Sequence, residues 1–553
     1  IYSGNGRVYM KKVITTGQLT LRKLNAGCGK LMRAIAPTYG AGGKTVLNAG
    51  YTGAPELLGK GASAAAAISL ADVTENAGAI LLRAAGEKTA DLTGDGSITA
   101  MLIAEAIIRE GARAVTAGCS PVFIRRGIEL ARKAAEDALR EMTLSPCDEY
   151  TGLAAALTAG DEELGALVCQ ALQQAGYDGV VTVKPSDTDR SYVSEDIAYS
   201  IPAGYQSKYM ADSETSGEAV LENAAVFVCA SPIMSIHDIL PLLNEASIQK
   251  QPLLILSESI APEVVKSFVS NIAQGVIRLC SVEAPGVGAV KRAALEDAAA
   301  LTGAVVFGTP LNPDTKAALL STCGRAAKVR VTQSKTLIYG ASAAETPGLE
   351  EYTGHLASLL RLEHNELEDE RLRQRIARLT GRTADLRIGA ASDAERRLLT
   401  SRAECALKAA RAAANGGVLP GGGTAYIRAL PCVRKLCAGL SGDEKAGAGI
   451  LAAALEAPLR TLSQNAWYAP SEVTARVAEG HGNYGFDIAS GQYADMLSRG
   501  VIDPAAVVIT ALRSAVSVGA QLLTADAAVL IDGAPISSIP VPDDLHITPQ
   551  DFM

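Results

Sequence analysis

The run Thr93-Gly94-Asp95-Gly96-Ser97-Ile98-Thr99 sets one carboxylate between two glycines, adds two hydroxyls, and passes at once into the apolar helical pattern AMLIAEAIIREGARAV. Helix N-termini carry unpaired amides and the positive end of a dipole, so a small-residue loop opening a helix suits a phosphate. In that setting Asp95 could anchor a magnesium ion while Ser97 and Thr99 bond phosphate oxygens. Two further stretches share the character: TYGAGGK, from Thr38 to Lys44, follows a helical run, and GGVLPGGGTAYIRAL puts Gly421, Gly422 and Gly423 before another. None ends in the Gly-Lys-Ser/Thr of a Walker loop. One such loop alone is as often an ordinary turn with a helix cap; three in the helical parts argue against coincidence.

The elements that must carry these loops fall into two styles. From Leu21 to about Arg140, apolar residues recur at three and four positions in LRKLNAGCGKLMRAIA, ISLADVTENAGAILLRAAGEKTA, AMLIAEAIIREGARAV and SPVFIRRGIELARKAAEDALREM, with Ser120-Pro121 in cap and first-turn order. Between about Ile197 and Thr383, short β-branched runs (AVFVCA, PLLILSE, GVIRLCSV, GAVVFG) alternate with helices, which predicts βαβ-like packing. The amphipathic EDERLRQRIARL closes that region, with Leu372, Ile376 and Leu379 on one face. Alanine-rich helical sequence then resumes to about Ala525, as happens when one domain is inserted in another. Met10 followed by KKVITTGQLT reads as a start and a short strand, with Ile1 to Tyr9 upstream of it.

Composition bounds the function. At 553 residues the chain exceeds one growing core, so several domains are expected. Apolar residues make up 48% and aromatics 4%, which favours helices and buried parallel strands. A net charge of -8 without a long basic run argues against nucleic acid as a partner. No membrane span or secretory signal is read. Ten cysteines without a CxxC pair and five scattered histidines make zinc sites and disulfide frameworks poor readings, so reduced thiols and a cytoplasmic location are expected.

GDGSITAMLIAEAIIREGARAVTAG and NGGVLPGGGTAYIRAL resemble the equatorial signatures of group I chaperonins, the bacterial GroEL type, and GAP at Gly53, EAPGVGAVKRAALEDAAALTG and GNYGFDIASGQYADMLSRGVIDP follow in the family's order. The resemblance runs over nearly the whole chain from Met10 and marks a divergent paralogue. It implies a multi-domain α/β protein: a mainly helical equatorial domain in two parts (10–141 and 416–530), a two-part intermediate hinge (142–196 and 384–415) and an inserted α/β apical domain (197–383). A disordered tail is expected over 531–553. Also implied are a homo-oligomeric ring, seven-fold by resemblance, with ATP, Mg2+ and K+ as ligands. The nucleotide pocket is carried onto Thr38, Gly40, Asp95, Gly96, Ser97, Ile98, Thr99, Gly422, Asp487, Ala489 and Asp503, with Asp95 at the metal and Asp503 at the ribose. Ile98 interrupts an all-threonine run, Ala41 and Gly42 replace a Pro-Lys pair, and Asp487 stands for the usual Asn.

Hydrolysis departs further. Where the family places Lys-Asp-Gly after Gly-Ala-Pro, this chain has Gly59-Lys60-Gly61, and where a helix carries the second carboxylate, RAECALKAARAA has Cys405. A one-residue slip aligns Lys60 with the family's lysine and still supplies no aspartate. A thiol of ordinary pKa is mostly protonated at neutral pH and is a poor substitute for a carboxylate base, and losing a general base costs about 10²- to 10⁴-fold. Cys405 also reads as a small core residue, and adjacent Glu404 points about 100° away on a helix. Asp393 falls at a hinge carboxylate that the family uses between subunits.

The resemblance implies that the apical domain holds unfolded chains and a co-chaperonin lid through apolar residues: Tyr205, Tyr209 and Met210 in a loop, Leu240 and Leu243 on one helix, and Val265, Phe268 and Val269 on the next. Exposed aliphatic surface without strict geometry suits promiscuous capture, though each position also reads as core. Asn244 and Ser270 weaken the edge of the face, and the C-terminus lacks the family's Gly-Gly-Met repeats. Two mechanisms follow from the residues: a working chaperonin that binds ATP and encloses unfolded protein, or a degenerate one that acts as holdase, scaffold or mixed-ring subunit beside a conventional paralogue. A glycine-loop metabolic kinase is the reading from another class, and the apical segments argue against it.

Overall fold

The computed structural model describes residues 11–40, 42–48, 56–58, 61–177, 179–186, 188–194, 199–212, 217–308, 319–339, 348–360, 366–380 and 383–532. Helices predominate over strands. The chain forms two compact units, one of residues 1–170, 185–191 and 388–553, the other of residues 171–184 and 192–387.

The first unit is a packed set of helices whose starts and stops follow local chemistry. The helix Val73–Thr93 begins at Asp72, whose Oδ1 accepts from the Thr74 and Glu75 amides at 2.9 and 3.0 Å. The hydrogen bond from Lys23, with those amides, holds the Asp72 carboxyl below its usual range. Gly94, left-handed, ends the helix, and Gly96, also left-handed, opens the next, Ser97–Thr116. Pro121 stands in the first turn of Pro121–Met142 as the sequence predicts, but the Ser120 side chain makes no cap bond; its amide donates instead to Asp443 Oδ2. Leu82, Ile103, Ile107, Ile124, Ile128 and Leu512 lie fully buried in one shared core.

Two strands far apart in the sequence pair in this unit. Lys11–Thr16 pairs antiparallel with Ala527–Asp532, Lys11 opposite Asp532. The strand expected at Met10 therefore exists, and Ile531 and Asp532 belong to a strand rather than to the tail; residues 533–553 and Ile1 to Tyr9 lie outside the described residues. Val418–Pro420 pairs with Ile502–Pro504, and Tyr484–Asp487 forms a hairpin with Gln492–Asp495. The helix Ala505–Leu523 is long and apolar enough to cross a membrane, a length the sequence was not expected to reach. Most of it is buried among the other helices, which accounts for its composition.

The second unit is built on a seven-stranded mixed sheet. Ala219–Cys229, Leu253–Ser257 and Leu279–Glu283 run parallel, with the helices Leu240–Gln249 and Pro262–Ala273 as crossovers. All five residues of Leu253–Ser257 are buried, as a continuous apolar run in a parallel sheet requires. Gly324–Val331, Thr336–Tyr339 and Tyr199–Ile201 extend the sheet antiparallel on the other side. In the helix Glu366–Leu379, Leu372 and Leu379 are buried with Ile376 packed beside them, the face read from the sequence.

Candidate functional site

In the first unit the glycine loops converge on one cavity of about 280 Å³. Its wall takes Tyr39 and Gly40 from the first loop, Asp95 from the second, Gly422 and Gly423 from the third, and Asp487, Ile488, Ala489 and Asp503 from the later hairpin and strand. The antiparallel pairing of Val418–Pro420 with Ile502–Pro504 is what unites two of these, since it sets Leu419 opposite Asp503 and leads directly into Gly421, whose amide donates to Val501 O at 2.9 Å. Gly422 has φ +65°, and a Cβ there would meet only Phe486 O and Val501 Cγ1, both at 3.8 Å. Backbone strain, not crowding, is what favours glycine at that position.

Of the residues expected in the pocket, Gly40, Asp95, Gly422, Asp487, Ala489 and Asp503 line the cavity. Gly96, Ser97, Ile98, Thr99 and Thr38 are not among its lining residues. Thr38 is buried and its hydroxyl donates to Ile35 O at 2.7 Å. Thr99 Oγ1 lies 2.8 Å from the Tyr39 hydroxyl. Ile98 packs where Gly61 leaves room: a Cβ on Gly61 would fall 2.2 Å from Ile98 Cδ1 and 2.7 Å from Thr38 Oγ1. Sequence reasoning missed Tyr39, Leu462, Phe486 and Val501, whose apolar bodies form much of the wall; an aromatic directly after Thr38 was the one available signal.

Asp95 Oδ1 accepts from the Gly96 amide at 2.6 Å, and the Thr93 hydroxyl donates to the Asp95 carbonyl at 3.1 Å. Asp487 is held by its own turn, accepting from the Ala489 amide at 3.0 Å and from the Ser490 hydroxyl. Burial, reinforced by the charge of Asp95, pushes the Asp503 carboxyl up to about 7. Burial likewise raises the Tyr39 phenol, with Asp503 and Asp95 adding to the rise against the Thr99 hydrogen bond. Asp95, Asp503 and the Tyr39 phenol thus share one electrostatic environment.

Among the described residues the wall carries three aspartates and no lysine or arginine. A polyanion would meet repulsion there unless a cation came with it. The helices Ser97–Thr116 and Thr424–Gly439 both open at left-handed glycines without a side-chain cap, so their N-termini offer amides for phosphate oxygens. No group of three His, Cys, Asp or Glu side chains converges for a metal among the described residues. A magnesium ion fits this site as it commonly does others, through one carboxylate, Asp95, with phosphate oxygens and water completing its octahedron.

Lys60 lies outside the described residues. Cys405 sits half-buried on the helix Asp393–Gly416, in no disulfide, like all ten cysteines. That helix crosses close above the second loop: a Cβ on Gly94 would lie 2.5 Å from Cys405 O and 2.6 Å from Lys408 Cβ. One turn on, Lys408 Nζ donates to Asp91 O at 3.1 Å. Glu404 is exposed. Asp393 is exposed too and pairs with Arg396 on its own helix.

In the second unit the expected capture residues divide. Tyr209 is 61% and Leu240 38% exposed, and Val265 and Val269 are half-buried. Tyr205 is half-buried, its hydroxyl donating to Gly217 O at 3.3 Å. Met210, Leu243 and Phe268 are core instead. Phe268 is fully buried, and Met210 Sδ accepts from the Ser281 amide and hydroxyl, both at 3.5 Å. Leu243 and Phe268 lie on the inward faces of their amphipathic helices, and Met210 ends the short turn Lys208–Met210 against the sheet, so these three support the surface rather than form it.

Among comparisons with known proteins, a family model described as the TCP-1/cpn60 chaperonin family matches residues 31–532.

Proposed function

The chain belongs to the TCP-1/cpn60 chaperonin family, and from that premise we propose that it is a divergent group I chaperonin subunit that binds ATP and unfolded polypeptide but hydrolyses ATP slowly or not at all. Family membership supports a role in protein folding. The nucleotide reading is carried by one observation, the cavity whose wall joins residues of three glycine loops to Asp487 and Asp503. In it Asp503 accepts from ribose hydroxyls, the amides of the two uncapped helix N-termini receive phosphate oxygens, and Asp95 meets the cation. Mg2+, when bound, offsets the charge of phosphate against the three aspartates, and K+ can assist.

The subunit assembles as a ring, seven-fold by resemblance and built of one chain or mixed with a conventional paralogue, in the cytoplasm. It has the equatorial, intermediate and apical division read from the sequence. Tyr209, Leu240, Val265 and Val269 offer the client surface, which a co-chaperonin lid could share. Slow turnover follows from residue types: neither Lys60 nor Cys405 can take a proton from water as a carboxylate does. Should hydrolysis be wholly absent, the subunit acts as a holdase or scaffold. Titrating the full-length protein with Mg-ATP while following phosphate release tests both halves: binding with negligible release is expected, and absence of binding overturns the reading.

A further inference from the structure

Trp467 is the only tryptophan of the chain, is 84% exposed, and holds φ at +66°. The reason for that backbone is local. The helix Ala457–Asn465 ends in a Schellman arrangement, with the Trp467 amide donating to Gln464 O at 3.1 Å and the Tyr468 amide to Ser463 O at 2.9 Å. The left-handed residue of that motif is ordinarily Gly or Asn, because a Cβ is strained there. A tryptophan in this place carries the strain and leaves its ring outside the core, and strain of this kind gathers where position matters to function.

The ring lies 4.5 Å from Lys44 Nζ, at centroid distance for a cation–π contact. Lys44 closes the first glycine loop: its amide donates to Pro37 O, and the Gly43 amide to Gly40 O, each at 2.8 Å. The same helix end holds the loop elsewhere. Asn465 Nδ2 donates to Ala36 O at 2.8 Å and to Tyr39 O at 2.9 Å. Leu462 stands so close to Gly40 that a Cβ there would come within 2.1 Å of its Cδ2, and a Cβ on Gly42 would lie 3.3 Å from Ala466 Cα. Tyr39, Gly40 and Leu462 are themselves cavity wall.

We infer that Trp467 is a positioning residue for the nucleotide site: through Lys44 its ring clamps the first glycine loop onto the end of the Ala457–Asn465 helix, so that the wall at Tyr39 and Gly40 is set before nucleotide enters. The inference rests on the nucleotide reading above. A wall fixed in advance spares the ordering cost of binding, so the clamp acts on affinity. An exposed cation–π pair is modest, and its loss corresponds to about two- to fivefold in Kd.

The test uses the full chain, calorimetric titration with Mg-ATP, and thermal melts of wild type, Trp467→Gly, Trp467→Phe and Lys44→Met. Trp467→Gly is expected to melt at or above wild type, since glycine suits the left-handed position, and yet to bind Mg-ATP about two- to fivefold more weakly. Lys44→Met shows the same weakening without a raised melting point, and Trp467→Phe stays within about twofold of wild type because it keeps an aromatic face. The inference is overturned if Trp467→Gly binds as tightly as wild type, or if Trp467→Phe is as weak as Trp467→Gly. A wild-type chain that takes up no ATP overturns the nucleotide reading as well, and this is seen before any variant is compared.

Discussion

Asp503 and Asp95 contribute to the same cavity, and the proton balance between them gives the site a measurable signature. Asp503 is raised from 3.8 in the unfolded chain to about 7 in the folded one by burial and then by Asp95. The folded state therefore binds more protons over that interval, and stability falls as pH rises through it. Asp503→Asn removes the effect: its melting point should gain on wild type progressively between about pH 4 and pH 7, and the gap should then stay level. A gap independent of pH would show that the shift is absent. Mg-ATP affinity of the wild type should increase from pH 6 to pH 8, as the Asp503 carboxylate becomes free to accept from ribose, and chelation of Mg2+ should abolish binding because the wall is acidic.

The glycine-flanked Asp95, Gly422, Asp487 and Asp503 were legible from the sequence because motif order carries them. Tyr39, Leu462 and Phe486 were not, because an apolar residue that lines a cavity has the same local pattern as one that fills a core. Phe268, which the sequence left equally readable as core or as surface, shows the converse limit. Apolar residues at helical spacing mark a face without saying whether water or the sheet lies against it, and here the sheet does. Phe268→Ala should accordingly cost about 3–5 kcal/mol of stability in a denaturant melt. Tyr209→Ser should leave stability within about 0.5 kcal/mol while reducing capture of a denatured client.

At the scale of elements, the helix Asp393–Gly416 that bears Cys405 packs directly on the second glycine loop at Gly94. Gly94 combines φ +78° with an approach to Cys405 O that no side chain could share. Gly94→Ala should destabilise the chain by about 1–3 kcal/mol from backbone strain alone, and should weaken Mg-ATP binding because the helix must withdraw. Unchanged affinity would show that the two elements are not coupled. Long helices were legible from their periodicity, but their starts were less so: the run read from Ile68 begins its helix only at Val73, after Asp72, and Ser120, the one cap read from the sequence, makes no side-chain cap bond. The Ala505–Leu523 helix was readable as helical, but its near-complete burial was not, because alanine and valine on every face become meaningful only when the surrounding helices are known.

For the whole molecule, the out-and-back change of sequence style matches the way both ends of the chain fall in one unit while most of its middle forms another. The antiparallel pair of Lys11–Thr16 with Ala527–Asp532 was beyond sequence reasoning: strand partners 515 or so residues apart leave no local trace. A subunit of this family should run in solution as a ring several times its 57.1 kDa mass. The central claim, however, is that the site holds nucleotide better than it turns it over. The most direct test is phosphate release at saturating Mg-ATP by the purified full-length protein, set beside the Lys60→Asp, Cys405→Asp double variant. Release near background from the wild type, rising by about 10²-fold or more in the double variant, is the predicted result; brisk release from the unmodified chain would contradict it.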